Sequence, residues 1–128
     1  MHIAMRGGSL IDPETAGRSL LYAIKKGFDN GSDGPAMGAV GLWDYYLATG
    51  DRSLLEDGYD VLRETMTEIE NRYNEEKGLV RAEQSTSNDA FPEPENAGYS
   101  LGSECYYMKA YDSMAKIEKH FAMEKMKF

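Results

Sequence analysis

The sequence predicts an all-α protein, with about four helices joined by turns as helical hairpins. Four segments carry apolar residues at the three- and four-residue spacing of a buried helix face, polar or glycine-rich turns separate them, and no segment has the pattern of a β-sheet. With 128 residues, of which 41% are hydrophobic and 28% charged, the chain is expected to form one domain, residues 1–128, with a core of its own.

The first helix is predicted to begin at Asp12-Pro13-Glu14. These residues offer an N-cap side chain, a proline suited to the first helical position and an acid in the first turn. The apolar positions of this helix are Leu20, Leu21, Ile24 and Phe28. The second helix is predicted to open near Pro35 and to end at Gly50. Its predicted core face is Ala36, Val40, Trp43 and Leu47.

The third helix is predicted from the spacing of Ser53 and Glu56, which fits a capping box. Its apolar stripe is Leu62, Met66, Ile69 and Tyr73, and residues 74–78 form a polar stop. A short extended piece is expected at residues 79–82. The fourth helix is predicted from about Ser100 to the C-terminus, and its last third, rich in lysine and glutamate, is expected to fray. The predicted apolar side of this helix is Leu101, Cys105, Met108, Tyr111 and Met114.

Composition restricts the partners and cofactors. The formal net charge of -8 disfavours nucleic acids and anionic membranes, and no apolar run reaches the ~20 residues that span a bilayer. Cys105 is the only cysteine, and His2 and His120 have no acids at ligand spacing, so no metal site and no cofactor are predicted. The start of the chain has no signal-peptide pattern, which leaves localisation open and cytoplasmic as given.

Residues 78–104 are the segment in which we expect a binding site. Between two helical segments they combine carboxylates, hydroxyls, amides and the aromatic rings of Phe91 and Tyr99. Loops longer than about 12–15 residues are uncommon in compact domains unless they are functional or disordered, and disordered segments are poor in aromatic residues. We therefore interpret this loop as ordered and suited to a polar ligand.

Two stretches resemble the six-hairpin glycosidase superfamily. One is Gly41-Leu-Trp-Asp-Tyr-Tyr-Leu-Ala-Thr-Gly-Asp51 followed by Leu54-Leu-Glu, where a helix ends in a Thr-Gly-Asp turn before the next hairpin helix. The other, from Gly78-Leu-Val-Arg-Ala-Glu-Gln-Ser to Tyr99-Ser-Leu-Gly-Ser-Glu-Cys-Tyr-Tyr107, is similar to the substrate-facing loop and following helix of bacterial members. The resemblance implies an (α/α)6 toroid of twelve helices, of which this chain would be about a third. It would then be either a fragment of a glycoside hydrolase or a small relative that completes its barrel with other copies.

The resemblance also implies a carbohydrate-active, glycoside hydrolase-like protein acting on an oligosaccharide or glycoside. Such hydrolysis uses two carboxyl groups that face each other across the bond. Glu83 and Asp89 stand where these enzymes tend to have acids that meet the sugar, so either is a candidate catalytic acid. The candidate substrate-binding residues are Gln84, Ser85, Asn88, Phe91, Tyr99 and Glu104.

Each candidate also has a structural interpretation. Glu83 and Asp89 are two of 22 acidic residues and could be solvated or capping carboxylates. Glu104 could complement the dipole of the last helix. Trp43 and Tyr99 could stack on sugar rings or fill a core.

Two functions therefore stay open, a glycoside hydrolase-like protein that completes its barrel with other copies and a non-catalytic α-helical binding domain. A truncated barrel would expose apolar surface, so we expect a homo-oligomer, with a dimer favoured.

Overall fold

The computed structural model describes residues 8, 10–26, 33–81, 99 and 101–126, and they confirm the all-α fold. Within these residues lie the helices α1 (Pro13–Lys26), α2 (Asp33–Thr49), α3 (Ser53–Asn71) and α4 (Leu101–Lys125). Two-residue strands, β1 (Tyr73–Asn74) and β2 (Leu79–Val80), form an antiparallel pair between α3 and α4. The extended piece expected at residues 79–82 is confirmed at Leu79–Val80. The partner strand β1 was not predicted, because two residues are too few to show an alternating pattern.

Helices that follow each other in the chain run antiparallel. A Cβ added to Gly17 near the start of α1 would meet Tyr45 near the end of α2 and Leu54 at the start of α3. The start of α1 therefore lies beside the end of α2 and the start of α3. Likewise Arg52, just before α3, contacts Glu124 near the end of α4. Helix α4 is thus antiparallel to α3 and parallel to α2.

The four helices form two layers. Helices α1 and α3 lie side by side in one layer, and α2 and α4 lie side by side in the other, with the most extensive helix contact of the fold. Helix α2 also packs on α1 and α3, whereas α1 and α4 share no extensive contact. Within each layer the two helices, α1 with α3 and α2 with α4, are therefore parallel neighbours.

Helix α2 lies at the centre of this arrangement. Residues 38–42 are all buried, and these five consecutive positions go once around a helix that has about 3.6 residues per turn. The predicted single core face was therefore too narrow. Ala36 and Val40 are buried as predicted, but Leu47 is 63% exposed, so its assignment to the core face was wrong.

Small residues let the helices approach α2. A Cβ on Gly17 would stand 2.6 Å from the hydroxyl oxygen of Tyr45, and one on Gly41 would stand 3.1 Å from Leu20. The Tyr45 hydroxyl donates a 3.0 Å hydrogen bond to the carbonyl oxygen of Pro13. The Tyr45 side chain thus lies across α1 at the one place where α1 has no side chain.

Two of the predicted helix ends are confirmed. The backbone N–H of Thr15 donates to Asp12 Oδ1 at 3.2 Å, which caps α1, and this hydrogen bond lowers the pKa of the Asp12 carboxyl. Gly50 has a φ of 70° after the last residue of α2, a conformation that favours glycine, and its N–H bonds the Tyr46 carbonyl at 2.8 Å.

The capping box at Ser53 was wrong. Arg52 holds the N-cap position of α3 without a side-chain cap, and Ser53 is already helical. Asp51 takes the capping role instead, since its Oδ1 accepts hydrogen bonds from the Ser53 N–H at 2.9 Å and from the Ser53 hydroxyl at 2.6 Å. The Thr49 hydroxyl donates to the Tyr45 carbonyl and accepts from the Asp51 N–H. All three residues of the Thr-Gly-Asp turn therefore make hydrogen bonds that join the end of α2 to the start of α3.

The predicted face of the last helix was wrong at its start. Leu101, Cys105 and Met108 are exposed, whereas Met114 is buried as predicted. The residues that α4 buries are Ser103, Tyr107, Ala110, Ser113, Met114 and Ile117. Apolar residues occupy both faces of α4, so periodicity could not decide which face points inward. The last third of α4, where fraying is expected, is helical to Lys125.

The third helix keeps its predicted core. Leu62, Met66 and Ile69 are buried, but Tyr73 lies in β1 and is 52% exposed, so its assignment to the helical stripe was wrong. The chain leaves the helix at Arg72, whose φ of -95° and ψ of 2° end the helical path. No described helix is long and apolar enough to cross a membrane.

Replacing Gly17 by alanine should destabilise the fold, because the new methyl group would overlap the Tyr45 ring. Such overpacking typically costs about 1–3 kcal/mol against a gain of about 1 kcal/mol in helix propensity, so we expect a net destabilisation of up to about 2 kcal/mol. The free energy of unfolding from urea titration measures this effect. Ser19→Ala on the exposed side of α1 is the control and should change it by less than about 0.5 kcal/mol. Equal stability of both variants and the wild type would contradict the packing described.

Candidate functional site

The structure describes two of the predicted site residues, Tyr99 and Glu104. The other calls lie outside the described residues: Glu83, Gln84, Ser85, Asn88, Asp89 and Phe91. Their assignments stay predictions. The structure does show what holds the two ends of this segment, and the candidate site is built from those contacts.

The contacts at the two ends form one group, which we call the hairpin frame: Arg72, Asn74, Val80, Arg81, Tyr99 and Glu104. Its base is the β1–β2 turn, in which the Gly78 N–H bonds the Asn74 carbonyl at 2.8 Å and Gly78 has a φ of 67°. The Asn74 side chain accepts the Lys77 N–H at 3.0 Å. The predicted polar stop at residues 74–78 is therefore this turn, which Gly78 closes in a left-handed conformation.

Arg72 fixes the start of the segment. Its Nη1 donates a 2.8 Å hydrogen bond to the Arg81 carbonyl, and the Arg81 N–H donates to the Arg72 carbonyl at 2.9 Å. The guanidinium also lies 5.6 Å from the centre of the buried Tyr107 ring on α4. Arg81 is therefore bonded to Arg72 at the end of α3, and Arg72 in turn contacts Tyr107 of α4.

Tyr99 fixes the other end. Its hydroxyl accepts a 3.2 Å hydrogen bond from the Asn74 side-chain amide, and the Lys77 ammonium lies 5.5 Å from its ring centre. A cation over an aromatic face is a favourable electrostatic contact. Because Lys77 covers one face of this half-buried ring, a sugar would have to stack on the opposite face.

Glu104, in the first turn of α4, joins this helix to the β1–β2 hairpin. The Val80 N–H points at its carboxylate, 3.1 Å from Oε1 and 3.3 Å from Oε2. Burial raises the pKa of the Glu104 carboxyl above its usual range, while the Val80 hydrogen bond opposes that rise. The helix-dipole interpretation was incomplete, since Glu104 also closes a contact between residues 24 positions apart.

The frame thus brings a half-buried acid with a raised pKa next to both ends of a segment rich in polar groups. An acid of this kind can hold a proton at higher pH than a solvated carboxyl and can release it to a nearby acceptor. Sequence reasoning missed the roles of Arg72 and Val80. Neither residue carries a local signal, because each acts through a partner that is distant in the chain.

A second group of polar and aromatic side chains joins the other ends of α3 and α4, and we call it the α3–α4 seam: Arg52, Tyr59, Arg63, Glu118, Phe121 and Glu124. Arg52 contacts both Glu56 and Glu124, and its guanidinium lies 5.5 Å from the Phe121 ring centre. Tyr59 packs edge-on against Phe121 at 5.3 Å. Long side chains therefore bridge two helices whose backbones make few close contacts.

Trp43 belongs to the packing beside this seam. Its ring centre lies 5.6 Å from that of Tyr46 and 6.4 Å from that of His120, and the Tyr46 and His120 rings are 4.8 Å apart. All three side chains are half-buried. These contacts favour the core interpretation of Trp43 over a sugar platform. In the described ranges no group of three His, Cys, Asp or Glu side chains could hold a metal ion.

Comparisons with known proteins found no match to a family model, a curated protein or a solved structure.

Replacing Glu104 by glutamine should remove the part of the pH dependence of the unfolding free energy that comes from this carboxyl group. Because the folded protein raises the pKa of this carboxyl, Glu104 adds most to stability when protonated, and its contribution falls as the pH rises from about 4.5, its usual value, towards the raised one. The glutamine oxygen can still accept the Val80 N–H. We therefore expect the variant to gain on the wild type in unfolding free energy over this pH range, measured by urea titration at several pH values.

Asp112→Asn is the control with the opposite sign. A hydrogen bond from Lys116 lowers the pKa of the exposed Asp112 carboxyl, so its contribution is present above about pH 3.8 and is lost as the pH falls below it. If the unfolding free energies of the wild type and of Glu104→Gln change with pH by the same amount, the environment described for Glu104 is contradicted.

Proposed function

We propose that this chain is a carbohydrate-active, glycoside hydrolase-like protein in which the hairpin frame presents residues 82–98 to a sugar. The observation that carries the proposal is the position of Glu104, a half-buried acid bonded to the backbone of Val80. Glu83 lies three positions after Val80 in the chain, so the length of the backbone limits the separation of their Cα atoms to about 11 Å.

That limit is compatible with hydrolytic geometry. Paired carboxyl groups stand about 5–5.5 Å apart in retaining glycosidases and about 6.5–9.5 Å apart in inverting ones. Glu104 accepts a hydrogen bond from the Val80 N–H, and Glu83 follows Val80 by three positions, so the chain length permits a pair at either spacing. In the proposed reaction one carboxyl group protonates the departing glycosidic oxygen, and the other carboxylate takes a proton from the attacking water.

The layered arrangement gives separate support for the toroid interpretation. A ring of helical hairpins requires inner helices that are parallel to each other and outer helices that are parallel to each other. The parallel pairs α1 with α3 and α2 with α4 have this relation. Two consecutive hairpins of a toroid would have this arrangement of parallel helix pairs. Stacked helical hairpins of other folds share it.

A second function, a non-catalytic binding domain, has one observation in its favour. The middle of α2 is enclosed, since residues 38–42 are all buried, and α3 and α4 bury Leu62, Met66 and Ile117 in the same core. A chain that already has a closed core does not need further hairpins to fold. In this case the frame would present a recognition loop without hydrolysis.

Three single variants test the first function: Glu104→Gln, Glu83→Gln and Asp89→Asn. The assay is release of reducing ends from a panel of oligosaccharides, together with calorimetric binding of the same sugars. A catalytic carboxyl should lose at least about 100-fold in turnover when it becomes an amide, because general acid–base catalysis contributes about 10²–10⁴-fold. Glu64→Gln, an exposed acid on α3, is the control and should keep full activity.

The results separate the two functions. Turnover that falls in two of the three site variants and stays unchanged in Glu64→Gln supports a hydrolase with one pair of carboxyl groups. Sugar binding without turnover in the wild type supports the binding domain. Neither binding nor turnover with any sugar in the panel, from a folded protein, would contradict the carbohydrate proposal.

A further inference from the structure

The outward side of α4 carries an ordered row of exposed residues. These lie at alternating four- and three-residue steps along the whole helix: Leu101, Cys105, Met108, Asp112, Ala115, Lys119, Ala122 and Met126. Leu101 is 82%, Met108 72% and Met126 84% exposed. We call this row the outer seam. The core of the same helix uses the opposite face.

The spacing of the outer seam is that of a coiled-coil contact. A repeat of seven residues with two contact positions keeps one stripe of a helix against a partner helix. Most members of the row are apolar or small, and the polar members Asp112 and Lys119 lie in its middle. Both ends of the row, Leu101 and Met126, are apolar. A partner that covers this face must therefore be a helix with apolar residues at both ends.

A second copy of α4 meets this requirement in one orientation. In an antiparallel pair, Leu101 lies against the partner's Met126 and Cys105 against the partner's Ala122. The pairing continues inward until Asp112 lies against the partner's Ala115. A parallel pair would instead set Asp112 against the partner's Asp112 and Lys119 against the partner's Lys119, and like charges that face each other are unfavourable.

The local charges of the middle also fit the antiparallel pair. Lys116 Nζ lies 2.7 Å from Asp112 within one chain, and Lys109 lies 3.6 Å from the same carboxylate. At the centre of the antiparallel pair, Asp112 comes next to the partner's Lys116, one helical position from the partner's Ala115. Each aspartate can then share lysines from both copies.

We infer that the outer seam of α4 is the surface through which two copies of this chain associate, as an antiparallel helix pair. This inference is independent of the carbohydrate proposal. A single helix contact is small compared with the total of about 1,200–2,000 Å² that stable interfaces bury, so the association is expected to be weak and concentration-dependent. Because each copy carries a net charge of -8, added salt should strengthen it.

A cysteine cross-link tests the register. In the antiparallel pair, Cys105 faces the partner's Ala122, so Ala122→Cys should form an intermolecular disulfide with the partner's Cys105 under mild oxidation. The two native Cys105 residues would be about 25 Å apart at ~1.5 Å per helical residue, beyond the roughly 4.4–6.8 Å between Cα atoms that a disulfide needs. The wild type and the double variant Cys105→Ser with Ala122→Cys should therefore stay uncrosslinked.

Light scattering over a dilution series tests the surface itself. Leu101→Glu should raise the dimer dissociation constant at least tenfold, because it places a charge against the partner's Met126. Tyr22→Glu is the matched control, since Tyr22 is 66% exposed on α1 and away from the seam, and it should leave the constant unchanged. A monomer at every concentration would overturn the inference. Equal weakening by both variants, or a disulfide between native Cys105 residues, would overturn it as well.

Discussion

The enclosure of α2 is the constraint on which the rest of the structure depends. Three helices share this one helix as their common neighbour, and glycines at the contacts with α1 and α3 set how near these two helices can come. Gly17 and Gly58 on the neighbouring helices and Gly41 on α2 stand where a Cβ would press on a facing side chain at 2.6–3.2 Å. Burying a leucine such as Leu42 contributes roughly 1.5–3 kcal/mol, and that gain requires these close approaches.

The central helix also explains the position of both polar groups. Helix α4 lies parallel to α2 and antiparallel to α3, so its start reaches the hairpin at the end of α3 and its end reaches the start of α3. The first meeting places Glu104 on the backbone of Val80. The second places Glu124 against Arg52. The first group contacts residues on both sides of positions 82–98, and the second joins the far end of α4 to α3 with charged and aromatic contacts.

The sequence predicted the features that depend on neighbouring residues. The cap at Asp12 and the glycine at position 50 were recognised, because each satisfies its helix end locally. The orientation of α4 was not, because Leu101 and Met108 on one side compete with Tyr107 and Ile117 on the other, and only the surrounding helices decide between them. The polar loop was located as a candidate site, but the bonds that frame it join residues 25 or 24 positions apart and leave no local pattern.

The most direct measurement of this account is native-state hydrogen exchange of the α2 amides. If α2 is enclosed by α1, α3 and α4, its central amides, at residues 38–42, can exchange only when the whole domain opens. Their opening free energy should then equal that of global unfolding and should be the highest in the chain. Central α2 amides that exchange through local opening, while α1 and α3 stay protected, would contradict the central claim.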